Sequence, residues 1–391
     1  MLRLFLLSFA VSFGVGYLIL RFEHQHRRIT GDVAARGSHK VHHSAVSRVG
    51  GVSILVGWFV GLAMAGYYHR VPLDTVAIWL VCLLPAFLGG LVEDLTKVVP
   101  PTIRLVAAFL SAGLAYTLLG AAVSRVDVIG LDALLVMPAM AFLFTCFAVG
   151  GVAHAINIID GLNGLASGVC LMALLALGYV AFQVEDAEIV LMCGLGIGAI
   201  LGFRVWNYPS GRIFCGDGGA YFLGAYVAIL SAILVHRHPQ VSAWFPFLLV
   251  LYPVWETLFS AYRRRVLRGR PASRADKLHM HTLYYKRVKR AEQDGKARSR
   301  RNSDASVSMM FLASGSALPA VLWWSDGAYL LMAAVAYVVV YLAMYRRLVR
   351  FGGAGRKSVN KVGATAMGRR VAALHRAATS RLIARDARKS R

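Results

Sequence analysis

Apolar residues in this chain come in long, nearly unbroken runs, not in the alternation of a half-buried strand or the stripe of a surface helix. A bilayer core needs about 20 apolar residues per helix. Runs of about that width fall at 2–20, 49–66, 73–91, 105–122, 133–152, 165–183, 187–203, 218–236, 243–261, 306–325 and 327–345. The pattern predicts an all-α integral membrane protein with about eleven transmembrane helices. The last two runs are split by Ser325-Asp326-Gly327, and Pro100-Pro101 breaks the chain before the fourth. The first run carries one early Arg3 and no small-residue cleavage pattern before Arg21, so it reads as an uncleaved helix.

Composition closes off the soluble alternatives. Of 391 residues 58% are hydrophobic and only 16% charged, with mean hydropathy +0.59, too little polar surface for a water-soluble protein of this size. Five cysteines at scattered positions, 82, 146, 170, 193 and 215, give neither a disulfide framework nor a zinc ribbon.

Charge sets the orientation. The chain has 43 Lys and Arg against 19 Asp and Glu, a net +24. Taking alternate loops, segments 21–48, 92–104, 153–164, 204–217, 262–305 and 346–391 hold 39 of those 43 cations. The positive-inside rule then predicts a periplasmic N-terminus and a cytoplasmic C-terminus. The surplus is read as attraction to anionic lipid headgroups, not to nucleic acid. Two regions follow: a membrane domain over 1–345 and a basic cytoplasmic tail over 346–391, in which Arg369–Arg388 could form an interfacial helix.

Against that background the acids stand out. Glu93-Asp94, Asp160 and Asp217 lie in short segments on the cytoplasmic side, and a fourth cytoplasmic loop carries His279 and His281. Ionisable groups at the edge of apolar spans are costly and mark function. Carboxylates among glycines, with few Cys or His ligands, suit a hard cation, Mg²⁺ or alternatively Mn²⁺, that shares its ligands with phosphates. Glycines around Asp160 and Asp217 let backbone N–H groups approach a diphosphate. The helix that starts beside Asp217 would point its positive end at anions. Lys40, Arg48, Arg104 and Arg212 add counter-charge. The sum suggests phosphoryl transfer at the membrane surface. GLGIGAILG at 194–202 lies inside a span with no strand before it, so it is read as small-residue helix packing, not a nucleotide fingerprint.

Five segments, in order, carry a resemblance: KVHHSAVSRVGG (40–51), GGLVEDLTK (89–97), NIIDGLNGLASG (157–168), IFCGDGGAYFLG (213–224) and LHMH (278–281). From about Lys40 to Arg287 the chain resembles the polyprenyl-phosphate N-acetylhexosamine-1-phosphate transferase family. The resemblance implies an enzyme of the bacterial inner membrane. It would pass sugar 1-phosphate from a UDP-sugar to a polyprenyl phosphate such as undecaprenyl phosphate, releasing UMP and initiating surface polysaccharide or O-antigen synthesis. It implies Asp217 as the Mg²⁺ ligand and Asp94, Glu93 and Asp160 as the catalytic acids, Asp94 activating the lipid phosphate. Lys40, Asn157, Asn163, Arg212, Phe214, His279 and His281 would bind substrate, with Phe214 stacking on uracil. Family members are often dimers, so the resemblance admits a homodimer.

The sequence departs from the family at three places. Glu93 replaces the first of two usual aspartates, Asn163 stands where many members have a second aspartate, and Thr282 stands where a third histidine often follows. Since the histidine-rich signature is incomplete, phospho-MurNAc-pentapeptide transfer is the second reading. A transporter ranks below both, because its acids would sit near the bilayer midplane.

Overall fold

The computed structural model describes residues 1–31, 46–266, 278–291 and 298–349, and these are helical with short connections. In chain order the helices are α1 (Leu2–Arg21), α2 (Glu23–Thr30), α3 (Gly50–Tyr67), α4 (Leu73–Thr96), α5 (Pro101–Leu119), α6 (Leu131–Leu135) and α7 (Pro138–Ile159). There follow α8 (Leu165–Gln183), α9 (Ala187–Asn207), α10 (Gly216–Arg237), α11 (Trp244–Leu249), α12 (Leu251–Arg265), α13 (Met280–Ala291) and α14 (Arg298–Leu322). The last is α15 (Gly327–Val349). Ten of these are long and apolar enough to cross a bilayer, and the chain is an all-α integral membrane protein.

The ninth apolar run, 243–261, is not one continuous helix. It divides into α11 and α12 at Val250, whose backbone (φ −109°, ψ 13°) leaves the helical region. Pro253 explains the break: it has no N–H to give the Leu249 carbonyl, and its ring crowds that carbonyl. The run at 133–152 is also displaced. Met137 is extended and Pro138 occupies the first turn of α7, which suits a ring with fixed φ and no N–H to lose. The helix therefore runs on to Ile159 and delivers Asp160 at its end.

The chain divides into two compact units, Met1–Val338 and Val339–Arg391. In the first, α10 is the central helix: every residue from Gly216 to Leu230 is buried, as expected of a helix apolar on all sides. It packs against α3, α4, α5, α7 and α8. An aromatic cluster locks it in place, with Trp58 of α3 edge-on to Phe222 and to Tyr226 at 5.5 Å each, and Trp79 of α4 5.8 Å from Tyr226. The glycine run of α9 packs as its small residues predict. A Cβ on Gly198 or Gly202 would fall 2.5 Å from the Phe5 carbonyl oxygen or 2.4 Å from that of Phe9 on α1. At the far end of α10, Asp127 accepts from the Ser242 hydroxyl and the Ala243 N–H, each at 2.7 Å, which closes the turn into α11. The described part of the second unit, 339–349, is the end of α15, where Tyr341 and Tyr345 stack at 6.4 Å.

Candidate active site

Two helix ends meet head-on. At the end of α4 the Asp94 carboxylate, 1% exposed, accepts the backbone N–H of Asp217 at 3.0 Å and of Gly218 at 2.9 Å. It caps the first turn of α10, satisfying N–H groups that a helix start leaves without partners. The approach requires glycine. A Cβ on Gly90 of α4 would lie 2.4 Å from the Asp217 backbone, and at Gly216, whose φ is +74°, a Cβ would strike the Arg48 carbonyl. Arg48 spans both acids, its Nε 3.8 Å from Asp94 Oδ1 and its Nη2 3.6 Å from Asp217 Oδ1. Arg104 of α5 pairs with the other Asp217 oxygen.

Asp160 ends α7 and belongs to the same electrostatic cluster. Burial pushes its carboxyl up to about 7; Arg48 pulls it back and the Asp94 charge adds to the rise. Behind it the Asn157 side chain hydrogen-bonds with Tyr221, whose hydroxyl also meets His154 Nδ1 at 2.8 Å. His279 and His281 stack parallel, ring centroids 5.5 Å apart. His281 is 4% exposed, and its Nε2 lies 2.9 Å from where a Gly161 Cβ would be, against the Asp160 turn. The structure thus gathers Asp94, Asp160, Asp217, Asn157 and the histidine pair at one end of the bundle.

Other predicted residues take different places. Glu93 turns away from its neighbour: its carboxylate accepts the Val99 N–H at 2.7 Å, and its carbonyl accepts the N–H of Lys97, which is left-handed at φ +61°. This shapes the turn into α5. Asn163 is buried and tied into the scaffold, its N–H donating to Asn302 Oδ1 at 2.6 Å and its side chain to the Pro209 carbonyl at 3.2 Å. Arg212 is exposed and lies over the Trp206 ring at 5.3 Å. Phe214 is half-buried, its backbone paired with Ser47 and Gly50. Lys40 lies outside the described residues, as does the tail beyond Val349.

Sequence reading missed Glu256 and Asn302. Glu256 left one signal, an acid alone inside a supposed span, and it is fully buried. Asn302 left none.

The donor chemistry limits which metal could bind. Among the described residues no group of three or more His, Cys, Asp or Glu is arranged to hold an ion. A closed structural site of protein ligands does not fit. Asp217 is a single carboxylate paired with Arg48 and Arg104; it fits a hard cation, whose other ligands are phosphate and water, once the two guanidiniums turn to the phosphates. Arg104 Nε and His281 Nδ1 are among the buried polar atoms of the described residues that have no hydrogen-bond partner. A phosphate-bearing ligand would answer them, since buried polar groups are normally paired.

Comparison with known proteins agrees with the resemblance. Residues 76–235 match the model of glycosyl transferase family 4. The chain is 29% identical over 254 residues to a probable undecaprenyl-phosphate N-acetylglucosaminyl 1-phosphate transferase of Bacillus subtilis, covering 64% of this chain and 69% of that protein. It is 28% identical over 257 residues to an undecaprenyl-phosphate alpha-N-acetylglucosaminyl 1-phosphate transferase of Thermotoga maritima, covering 64% and 72%. A phospho-N-acetylmuramoyl-pentapeptide-transferase of Listeria welshimeri is 32% identical over 142 residues, covering 36% and 42%.

Proposed function

We propose, from the premise that residues 76–235 belong to glycosyl transferase family 4, that this chain is a membrane phosphotransferase. It moves an N-acetylhexosamine 1-phosphate from a UDP-sugar to a polyprenyl phosphate such as undecaprenyl phosphate. The observation that carries this reading is the Asp94–Asp217 junction, with Arg48 and Arg104 against its acids. It brings two guanidiniums and an acid able to hold a cation to one helix start, whose first N–H groups Asp94 already satisfies. Guanidiniums and a cation-holding carboxylate are the parts needed to hold a diphosphate.

In this reading an oxygen of the lipid phosphate attacks the β-phosphorus of the donor. A new P–O bond forms, the bond between the two phosphorus centres' bridging oxygen and the β-phosphorus breaks, and UMP leaves with the electron pair. A bound Mg²⁺, held by Asp217, would supply charge neutralisation on the diphosphate. Arg48 and Arg104 orient the phosphates as fixed cations. Asp94 fixes the α10 start and so the position of Asp217; the catalytic role assigned to it is to help activate the lipid phosphate. Asp160, whose carboxyl burial raises to about 7, can hold or release a proton near neutral pH.

Placement in the membrane follows the charge. With α11 and α12 together counted as one crossing, the spans number eleven, and the junction faces the cytoplasm with the N-terminus outside. Supporting this is the concentration of cations on the loops at that end. We assign the protein to the bacterial inner membrane and to surface polysaccharide or O-antigen initiation.

The test is UMP release by the purified protein with undecaprenyl phosphate, Mg²⁺ and a panel of UDP-N-acetylhexosamines, with UDP-MurNAc-pentapeptide as a separate arm. Turnover of a UDP-N-acetylhexosamine, abolished by EDTA and by Asp217→Asn, is expected. Release only from the pentapeptide donor would establish the second reading instead. Full activity of Asp217→Asn would remove the metal assignment.

A further inference from the structure

Glu256 lies on α12, just past the break at Val250, and is fully buried. A carboxylate withdrawn from water persists only where hydrogen bonds and charge compensate it. Its Oε1 meets His279 Nδ1 at 3.0 Å. The Met280 backbone N–H donates to Oε1 at 3.1 Å and to Oε2 at 3.2 Å. This one side chain therefore fixes both the start of α13 and the ring of His279. An ionised carboxylate can only accept, so Nδ1 carries the hydrogen. Nε2 is then the nitrogen left to meet a ligand. The His279 ring is held parallel to His281, which abuts the Asp160–Gly161 turn and keeps a buried Nδ1 without a partner.

We infer that Glu256 is the positioning residue of the donor site: it sets the tautomer and direction of His279 so that Nε2 faces the donor diphosphate. The assignment rests on the transferase reading above and adds a residue outside all the segments that carry the family resemblance. It also gives the α11–α12 break a purpose. A straight helix through Val250 would carry Glu256 to another height and face. Carboxylates that orient a metal-binding histidine typically matter by tenfold or more, and the same scale is expected for a histidine held toward a phosphate.

The probe is UDP with Mg²⁺, and its affinity for the detergent-solubilised full chain is read by calorimetry. Four proteins form a cycle: wild type, Glu256→Leu, His279→Ala and the double variant. Glu256→Leu is expected to weaken UDP binding about tenfold in the wild-type background, and by less than twofold once His279 is alanine. Equal weakening in both backgrounds would mean that Glu256 serves only the α13 backbone, and overturns the inference, as does no weakening at all. If Glu256→Leu does not give a monodisperse protein, Glu256→Gln completes the same cycle. Its amide oxygen can replace one acceptor, so the expected loss is about threefold, again confined to the His279 background. UDP binding is read without turnover. A wild type that binds UDP yet releases no UMP from any donor would count against the proposed function and leave the positioning of His279 decided by the cycle.

Discussion

Asp94 and Asp217, 123 residues apart in sequence, are joined through the backbone: the N–H of Asp217 donates to the carboxylate of Asp94 at 3.0 Å. One acid holds the helix that presents the other. This relationship gives substitution of Asp94 two effects, on stability and on rate. Asp94→Ala removes both accepted hydrogen bonds, and a lost helix cap costs about 1–2 kcal/mol. Asp94→Asn keeps one oxygen as an acceptor. Both should lower UMP release at least a hundredfold, because Asp217 and the phosphates lose their register. Both should lower the melting temperature in detergent by several degrees, since the Asp94→Asn amide N–H₂ also faces one of the two N–H donors. Parallel melting curves and rates for the two variants and wild type test this; variants as stable as wild type would show that the cap contributes nothing.

The glycine at the same junction gives a second prediction. A Cβ at Gly90 would meet the Asp217 backbone at 2.4 Å, whereas one at Gly194 meets nothing within 4 Å. Both lie in membrane helices, and both substitutions to alanine improve helix propensity. Gly90→Ala must push α4 from α10 and should cost about 1–3 kcal/mol as overpacking, with most activity lost. Gly194→Ala should match or exceed wild type in thermal stability. A thermal shift series on the two proteins decides, and a neutral Gly90→Ala would deny the close approach.

What could be read from the sequence follows the range of the interaction. Apolar runs report burial in lipid locally, so ten long helices were legible. The α11–α12 division was not, although Pro246 and Pro253 were in plain view. Proline also sits inside α4 at Pro85 and inside α14 at Pro319, where the helix continues, so its presence alone does not predict a break. The site was legible as residue types, acids among glycines at the ends of apolar runs. Which acid faced which partner was not. Glu93 and Asp94 are adjacent, but on a helix neighbours point about 100° apart, and only the fold shows that Asp94 reaches α10 while Glu93 turns to Val99. Asn163 was read as a substrate contact from its place in DGLNG; its partner Asn302 lies 139 residues away, beyond any local pattern.

That pairing is itself testable. Asn302→Ala leaves the buried Asn163 N–H without its acceptor, a loss of about 1–3 kcal/mol. Since Asn302 supports the loop and does not reach the acids' junction, the melting temperature should fall while the KM for the UDP-sugar changes less than threefold. Kinetics and melting on the same preparation provide the check. A large rise in KM with unchanged stability would return Asn163 to the ligand site.

The last prediction concerns pH. Burial holds His281 down at about 4, below its ordinary 6.5; Glu256 opposes the shift and His279 adds to it. In the unfolded chain the ring takes up a proton as pH falls through about 6.5. In the folded protein it stays neutral until about 4. Between those values the unfolded state binds more protons, so stability falls as pH falls. From pH 7 to pH 5 this group alone should remove about 2 kcal/mol. In His281→Asn the contribution is gone, while other titrating groups are shared by the two proteins. Melting of both in detergent at pH 7, 6 and 5 should therefore show wild type losing several degrees more than the variant, the gap opening below pH 6.5. Superimposable pH curves would mean that the ring takes up its proton equally in both states and is not held neutral in the fold.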